Sequence, residues 1–167
     1  MRAICVALAL AVLVSSGCGG DAGTGPVQGP TTTTSSGPVF EQAIAVVETD
    51  KGAVRLDVEV AKTDEQRQFG LMFREVLPPE SGMVFVYGSD HTGGFWMKNT
   101  LIPLSIAFYD AGGRIVRILD MEPCRADPCP LYDPGVAYRG ALEVNRGAFR
   151  RWGVRAGDRI VLKVAVA

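Results

Sequence analysis

Short apolar runs recur along residues 40–167, and each one ends near glycine, proline, asparagine or aspartate. Residues 54–60 alternate strictly between apolar and charged, as a strand does when one face packs on a core. Runs this short, separated by frequent turn signals, are typical of a mostly-β domain. We therefore predict one compact, β-barrel-like domain of about eight short strands with one or two short helices.

The individual elements follow from the same patterns. The predicted strands cover residues 43–48, 54–60, 82–87, 95–100, 104–109, 114–121, 138–145 and 158–166. Thr63 and Gln66 form a capping box, which predicts a helix that continues through Met72. A second helical turn is predicted over residues 147–152, ended by Gly153. The glycine-rich segment 88–94, which contains His91, is predicted to be an exposed loop.

The N-terminus is typical of an exported protein. Residues 1–17 form the predicted signal peptide, with Arg2 before an apolar run over residues 4–14 that is too short to span a bilayer. Gly17-Cys18 resembles the lipobox of bacterial lipoproteins, which implies a lipid on Cys18. The predicted location is the cell envelope, at the outer membrane if the cell has one. The alternative is an ordinary secretory signal and a secreted or periplasmic soluble protein.

Residues 18–39 contain the anchor cysteine and then a stretch of Gly, Thr, Ser and Pro. This composition predicts a flexible linker with a root-mean-square span of about 25 Å. The linker would hold the folded domain, residues 40–167, clear of the lipid surface.

Charge and cysteine content narrow the possible partners. The net charge of -1 and the 47% apolar content do not favour a nucleic-acid partner. Cys124 and Cys129 predict a disulfide, the default for an exported protein. A redox or metal pair is the less favoured alternative, because four residues separate the cysteines and His91 is the one histidine of the chain. No metal and no cofactor are predicted.

Residues 94–110 place three polar side chains, Lys98, Asn99 and Thr100, among large apolar ones. Polar groups in such surroundings need partners, since burial without them costs free energy. If residues 95–100 form a strand, Trp96, Lys98 and Thr100 share one face and the intervening residues share the other.

The candidate ligand-binding residues are those that combine charge or hydrogen-bonding capacity with apolar surroundings: Arg74, Trp96, Lys98, Asn99, Thr100 and Glu143. Lys98 beside the Trp96 indole could bind an anion or a sugar. In the structural alternative, Lys98 pairs with Glu143 or Asp110, Asn99 joins two loops, and Arg74 caps carbonyls at a helix end.

The order of several motifs resembles an uncharacterised bacterial and archaeal family, domain of unknown function 192 (DUF192). The matching blocks are Phe-Gly-Leu-Met-Phe-Arg (69–74), Gly-Met-Val-Phe (82–85), Phe-Trp-Met-Lys-Asn-Thr (95–100), Ile-Pro-Leu (102–104), Leu-Glu-Val-Asn-Arg-Gly (142–147), and Gly-Val (153–154) with Gly-Asp (157–158). The resemblance implies a β-rich fold that is often exported or lipid-anchored, and it implies no catalytic residues. The family commonly has Asp where Ser105 stands here.

Three functional hypotheses remain open. The first is an envelope accessory module that binds a small ligand, a glycan or a partner protein through the surface around Trp96. The second is an envelope hydrolase, with Glu143 as acid or base and Lys98 or Arg74 stabilising an anion. The third is a structural lipoprotein that works through assembly at an exposed strand edge.

Overall fold

The computed structural model describes residues 37–164, so the predicted signal peptide, Cys18 and most of the linker lie outside the described residues. Nine strands and two short helices occur in the described range: β1 (Glu41–Thr49), β2 (Gly52–Ala61), α1 (Asp64–Phe69), β3 (Ser81–His91), β4 (Phe95–Trp96), β5 (Leu104–Tyr109), β6 (Ile115–Met121), β7 (Leu131–Tyr132), β8 (Tyr138–Asn145), α2 (Ala148–Trp152) and β9 (Arg159–Val164). The mostly-β single domain is confirmed. Within this range no helix has the length and apolar content needed to cross a membrane.

Seven strands form one sheet in the order β6-β5-β8-β3-β2-β1-β9, and β4 pairs with β7 in a separate ribbon. All neighbours in the large sheet are antiparallel except β2 and β3, which are parallel and joined by a crossover through α1. The sheet is not closed, so the barrel-like prediction is wrong. Just before the edge strand β6, Arg114 forms an isolated bridge with Arg159 of the other edge strand, β9, and the Ile115 N–H donates to the Asp158 carbonyl over 2.7 Å.

Apolar side chains pack on both faces of the sheet. The first core takes Leu142 and Val144 from β8 and is covered by Phe149 of α2. The second core lies on the opposite face, where Ala141 of β8 packs below the segments that contain Leu71 and Met97. Because strand residues alternate between faces, Glu143 belongs to the face of the second core.

Local capping signals correctly predicted the start of α1 and the end of α2. The Thr63 hydroxyl accepts a hydrogen bond from the Gln66 backbone N–H, and the Gln66 side chain accepts one from the Thr63 N–H. The helix stops at Phe69 rather than continuing to Met72, because Gly70 leaves the helical conformation with φ of 49°. Gly153 ends α2 in the left-handed conformation with φ of 72°.

The prediction of a strand over residues 95–100 is wrong beyond Trp96. Asn99 adopts a left-handed φ of 57°, and the Thr100 N–H donates to the Met97 carbonyl, so the chain turns instead of extending. The predicted sharing of one face by Trp96, Lys98 and Thr100 therefore fails. The loop predicted over residues 88–94 is shorter than expected. The strand β3 continues to His91 after a register shift against β8.

The backbones of β3 and β8 approach closely at Gly82. A Cβ atom at this position would lie 2.3 Å from the carbonyl oxygen of Glu143, whereas one at Gly88 on the same strand would have no heavy atom within 4 Å.

We expect Gly82→Ala to lower the free energy of unfolding by about 1–3 kcal/mol, since the strands must separate to admit the methyl group. The matched variant Gly88→Ala should change it by less than about 0.5 kcal/mol. Urea unfolding followed by circular dichroism measures both. Equal stability of the two variants would contradict the close approach at Gly82.

Candidate functional site

A shallow groove lies between α1 and β4, and Gln68 and Trp96 line all of its three parts. The outer part has a volume of about 500 Å³ and is walled by Glu65, Phe69 and Met72. The second part, of about 240 Å³, is walled by Asp64, Arg67, Tyr87 and His91. The third part is a small cavity of about 30 Å³ at the base, which Thr100 and Glu143 reach. We call these three parts together the Trp96 groove.

Trp96 lies on the surface because the side chain of the preceding residue, Phe95, packs in the core. Phe95 turns inward and packs edge-on against Phe85 and Phe108, with ring centroids 4.9 and 5.6 Å apart. The two-residue ribbon places Trp96 opposite Leu131 of β7, and Trp96 remains 47% exposed. An exposed indole held by a fixed backbone provides a flat, preformed contact surface.

Glu143 lies at the base of the groove, flanked in the sheet by Met83 of β3 and Ile106 of β5. The residue is only 4% exposed, and no hydrogen bond or ion pair of its carboxyl group is found among the residues that the structure describes. No fully sealed side-chain polar atom in this range lacks a partner, so the carboxyl oxygens open onto the small cavity. Burial raises the pKa of Glu143 to about 8, which keeps the group largely protonated at neutral pH.

One wall of the groove is an ordered cluster of aromatic and charged groups. Tyr87 stacks on His91 with centroids 4.3 Å apart, and the Tyr138 hydroxyl donates to the Gly93 carbonyl over 3.2 Å. Arg67 lies 4.9 Å from the Tyr87 ring centroid and donates to the Val86 carbonyl over 2.9 Å. Arg67 also pairs with Asp64 on the same helix. The guanidinium is therefore held in place before any ligand arrives.

Lys98 forms a different ion pair from those predicted. Its Nζ lies 3.1 Å from an Asp127 carboxylate oxygen and 6.0 Å from the Trp96 ring, so the proposed pairs with Glu143 and Asp110 are wrong. The Cys124–Cys129 disulfide is present, so the predicted bond is confirmed. Asp127 belongs to the loop that this disulfide closes. Lys98 and Asn99 line a second cavity, of about 250 Å³, against this loop.

Asn99 and Arg74 have structural partners. The Asn99 carbonyl accepts from the Phe73 N–H over 2.8 Å, and both residues adopt left-handed φ values, so Asn99 joins two loops as the structural alternative stated. Arg74 pairs with Glu59 on β2 instead of capping helix carbonyls. Trp96, Thr100 and Glu143 are thus the candidate residues that line the Trp96 groove.

Residues of α1, of the turn that follows it and of β3 complete the groove but were not among the sequence candidates. Gln68, Phe69, Met72 and Tyr87 line it together with Arg67. The structure shows that α1 buries none of its residues completely, which leaves its polar and apolar side chains free for another contact. Ser105, at the position where the family commonly has Asp, lies elsewhere: its hydroxyl donates to Asp120 and accepts from the Gly147 N–H.

Comparison with known proteins supports the family resemblance. Residues 45–162 match the sequence profile of DUF192, a family described as "Uncharacterized ACR". A crystal structure from Sinorhizobium meliloti 1021, named as a candidate transcription regulator, is 31% identical with a TM-score of 0.70, over 76% of this chain and 98% of that one. A protein of unknown function from Novosphingobium aromaticivorans DSM 12444 is 28% identical with a TM-score of 0.62, over 76% and 94%. No protein of curated function matches significantly.

Burial of Glu143 predicts a pH-dependent stability. Its pKa is raised from 4.5 to about 8 on folding, so the native state binds more protons than the unfolded state between those values. The native state therefore loses stability as the pH rises through this window, and the effect is absent below it.

We expect Glu143→Gln to match the wild type near pH 4 and to exceed it by up to a few kcal/mol near pH 9, on the order of 1.4 kcal/mol for each unit of pKa shift. Urea unfolding at both pH values measures this gap. Glu48→Gln, at an exposed position of β1, serves as the control and should show no such growth. A gap of the same size at both pH values would contradict the burial of an ionisable group.

Proposed function

The chain belongs to the DUF192 family, and we propose that its folded domain is a ligand-binding accessory module of the cell envelope. The observation that carries this proposal is the Trp96 groove, where an exposed indole stands over a buried carboxyl group that has no protein partner among the described residues. Concave sites with an aromatic surface and a few polar groups are the usual form of small-ligand sites.

A glycan fits the chemistry of the groove best. A sugar ring has an apolar C–H face, which packs on an aromatic ring, and an edge of hydroxyl groups, which need donors and acceptors. Trp96 supplies the aromatic surface, while Gln68, Glu65 and Asp64 supply planar polar groups on the facing helix. The outer part of the groove, at about 500 Å³, has room for more than one ring.

The envelope location rests on the N-terminal sequence. The signal pattern and Gly17-Cys18 support export followed by lipid attachment at Cys18, and the linker up to residue 39 supports a domain held away from the membrane. An accessory module that binds envelope glycan is consistent with such a tether. Export as a secreted or periplasmic soluble protein is the alternative.

A hydrolase is the second candidate, because Glu143 has the raised pKa of a general acid and faces a cavity. Glycoside hydrolysis commonly needs two carboxyl groups on either side of the scissile bond. Glu143 is the one carboxylate among the described residues that line the small cavity, so this lining does not supply the second carboxyl group of such a pair. These features support binding over hydrolysis.

Assembly through a strand edge has weaker support. The outer edge of β6 carries the charged side chains of Arg117 and Asp120, which oppose edge-to-edge pairing. Asp120 is also occupied by Arg150 of α2. A purely structural lipoprotein would be expected to present a flatter and more apolar edge.

Replacing the indole should weaken glycan binding without unfolding the domain. Trp96→Ala should reduce the affinity for soluble peptidoglycan fragments by at least about tenfold, since it removes the stacking surface. Leu131→Ala removes the exposed cross-strand neighbour, lies outside the groove lining, and is the matched control. Isothermal titration measures the affinities, and thermal unfolding should show similar midpoints for both variants. Wild-type affinity in Trp96→Ala, or no binding by the wild type, would contradict glycan binding in the groove.

The anchor has its own test. In a bacterial host fed a labelled fatty acid, the wild-type chain should carry the label and sediment with membranes, whereas Cys18→Ser should lack the label. A label that survives Cys18→Ser, or a wild-type chain without the label, would contradict lipid attachment at Cys18.

A further inference from the structure

We propose that the Trp96 groove selects N-acetylated amino sugars, with the sugar ring against Trp96 and the acetyl group in the small cavity, where its carbonyl accepts a hydrogen bond from Glu143. This inference rests on the proposed glycan-binding function and names the class of sugar. The observation behind it is Glu143, a residue that is only 4% exposed and lines a cavity, and whose carboxyl group has no protein partner in residues 37–164.

The size of the small cavity sets the first limit on the ligand. The space open to the centre of a water-sized sphere is about 30 Å³, roughly twice the 10–15 Å³ that holds one water on this measure. A methyl or carbonyl group can enter such a space, whereas a sugar ring cannot. The ring must therefore remain in the wider part of the groove, beside Trp96, and a short substituent must reach down.

The walls of the small cavity set the second limit. Leu71, Phe85 and Phe95 are among its apolar walls. The polar side chains of its lining are those of Thr100, Glu143, Arg67 and Gln68. An acetamido group matches this arrangement, because its methyl group can pack on the apolar walls while its carbonyl oxygen accepts one hydrogen bond. A bare hydroxyl group would satisfy the hydrogen bond but leave the apolar walls without contact.

The charge of the surroundings sets the third limit. Arg67 of α1 lines the same cavity, and Tyr87 of β3 lies close enough to interact with Glu143 electrostatically. The flanking residues Met83 and Ile106 carry no charge. A fixed guanidinium disfavours a second cation, which argues against an ammonium ligand. Burial holds the Glu143 carboxyl in its protonated form at neutral pH, and a protonated carboxyl can donate to a carbonyl.

The test compares two neutral trisaccharides, tri-N-acetylchitotriose and cellotriose, by isothermal titration against the folded domain near pH 6. These sugars have the same ring and linkage and differ in the acetamido group. We expect the acetylated sugar to bind at least about tenfold more tightly, the effect of one buried hydrogen bond with its methyl contact. Equal affinity would overturn the acetyl preference and leave glycan binding intact. No binding of either sugar would overturn both.

Two substitutions locate the preference at Glu143. Glu143→Leu removes the donor and should abolish the difference between the two sugars. Glu143→Gln keeps an N–H donor that does not titrate, so its preference for the acetylated sugar should persist at high pH. The wild type should lose the preference between about pH 6 and 9.5, as the carboxyl group ionises and repels the carbonyl. A preference that is pH-independent in the wild type, or unchanged in Glu143→Leu, would overturn the assignment to Glu143.

Discussion

The pairing of β8 with β3 on one side and β5 on the other holds the sheet together. It joins the β5–β6 hairpin to β3 and, through β3, to β2 and β1, and it requires the close backbone approach at Gly82. The same pairing puts Glu143 in the middle of the sheet, between two apolar side chains and away from water. The unusual chemistry of the site is thus a consequence of the position that this strand must occupy, since a carboxyl group at a sheet edge would be solvated and ionised.

Much of the fold could be predicted because its signals are local. The strands β5 and β8 have the predicted bounds, since each is an apolar run with a turn or loop on either side, and the capping box at Thr63 satisfies helix donors within four residues. The segment after Trp96 could not be predicted in this way. Its turn depends on a backbone bond between Asn99 and Phe73, which are distant in sequence. The sequence likewise did not predict that the sheet stays open, because this depends on how far the edge strands β6 and β9 curl toward each other.

Only some residues of the candidate site could likewise be predicted from the sequence. Trp96, Thr100 and Glu143 were recognisable because polar or aromatic residues among apolar ones must serve some contact, and these three line the groove. The partner of Lys98 could not be inferred, since the disulfide loop brings Asp127 to it from 29 positions away. The opposite wall was missed because the residues of α1 follow an ordinary exposed helical pattern, and only the tertiary structure shows what they face.

The parallel pair β2–β3 has a consequence for how proteins of this fold can diversify. A parallel pair needs a crossover, and here that crossover places α1 across the groove from Trp96. Because α1 has no completely buried residue, the core does not constrain its side chains tightly. Homologues could therefore exchange residues along one helical wall and acquire different ligand preferences, while the sheet, the indole and the buried acid stay the same.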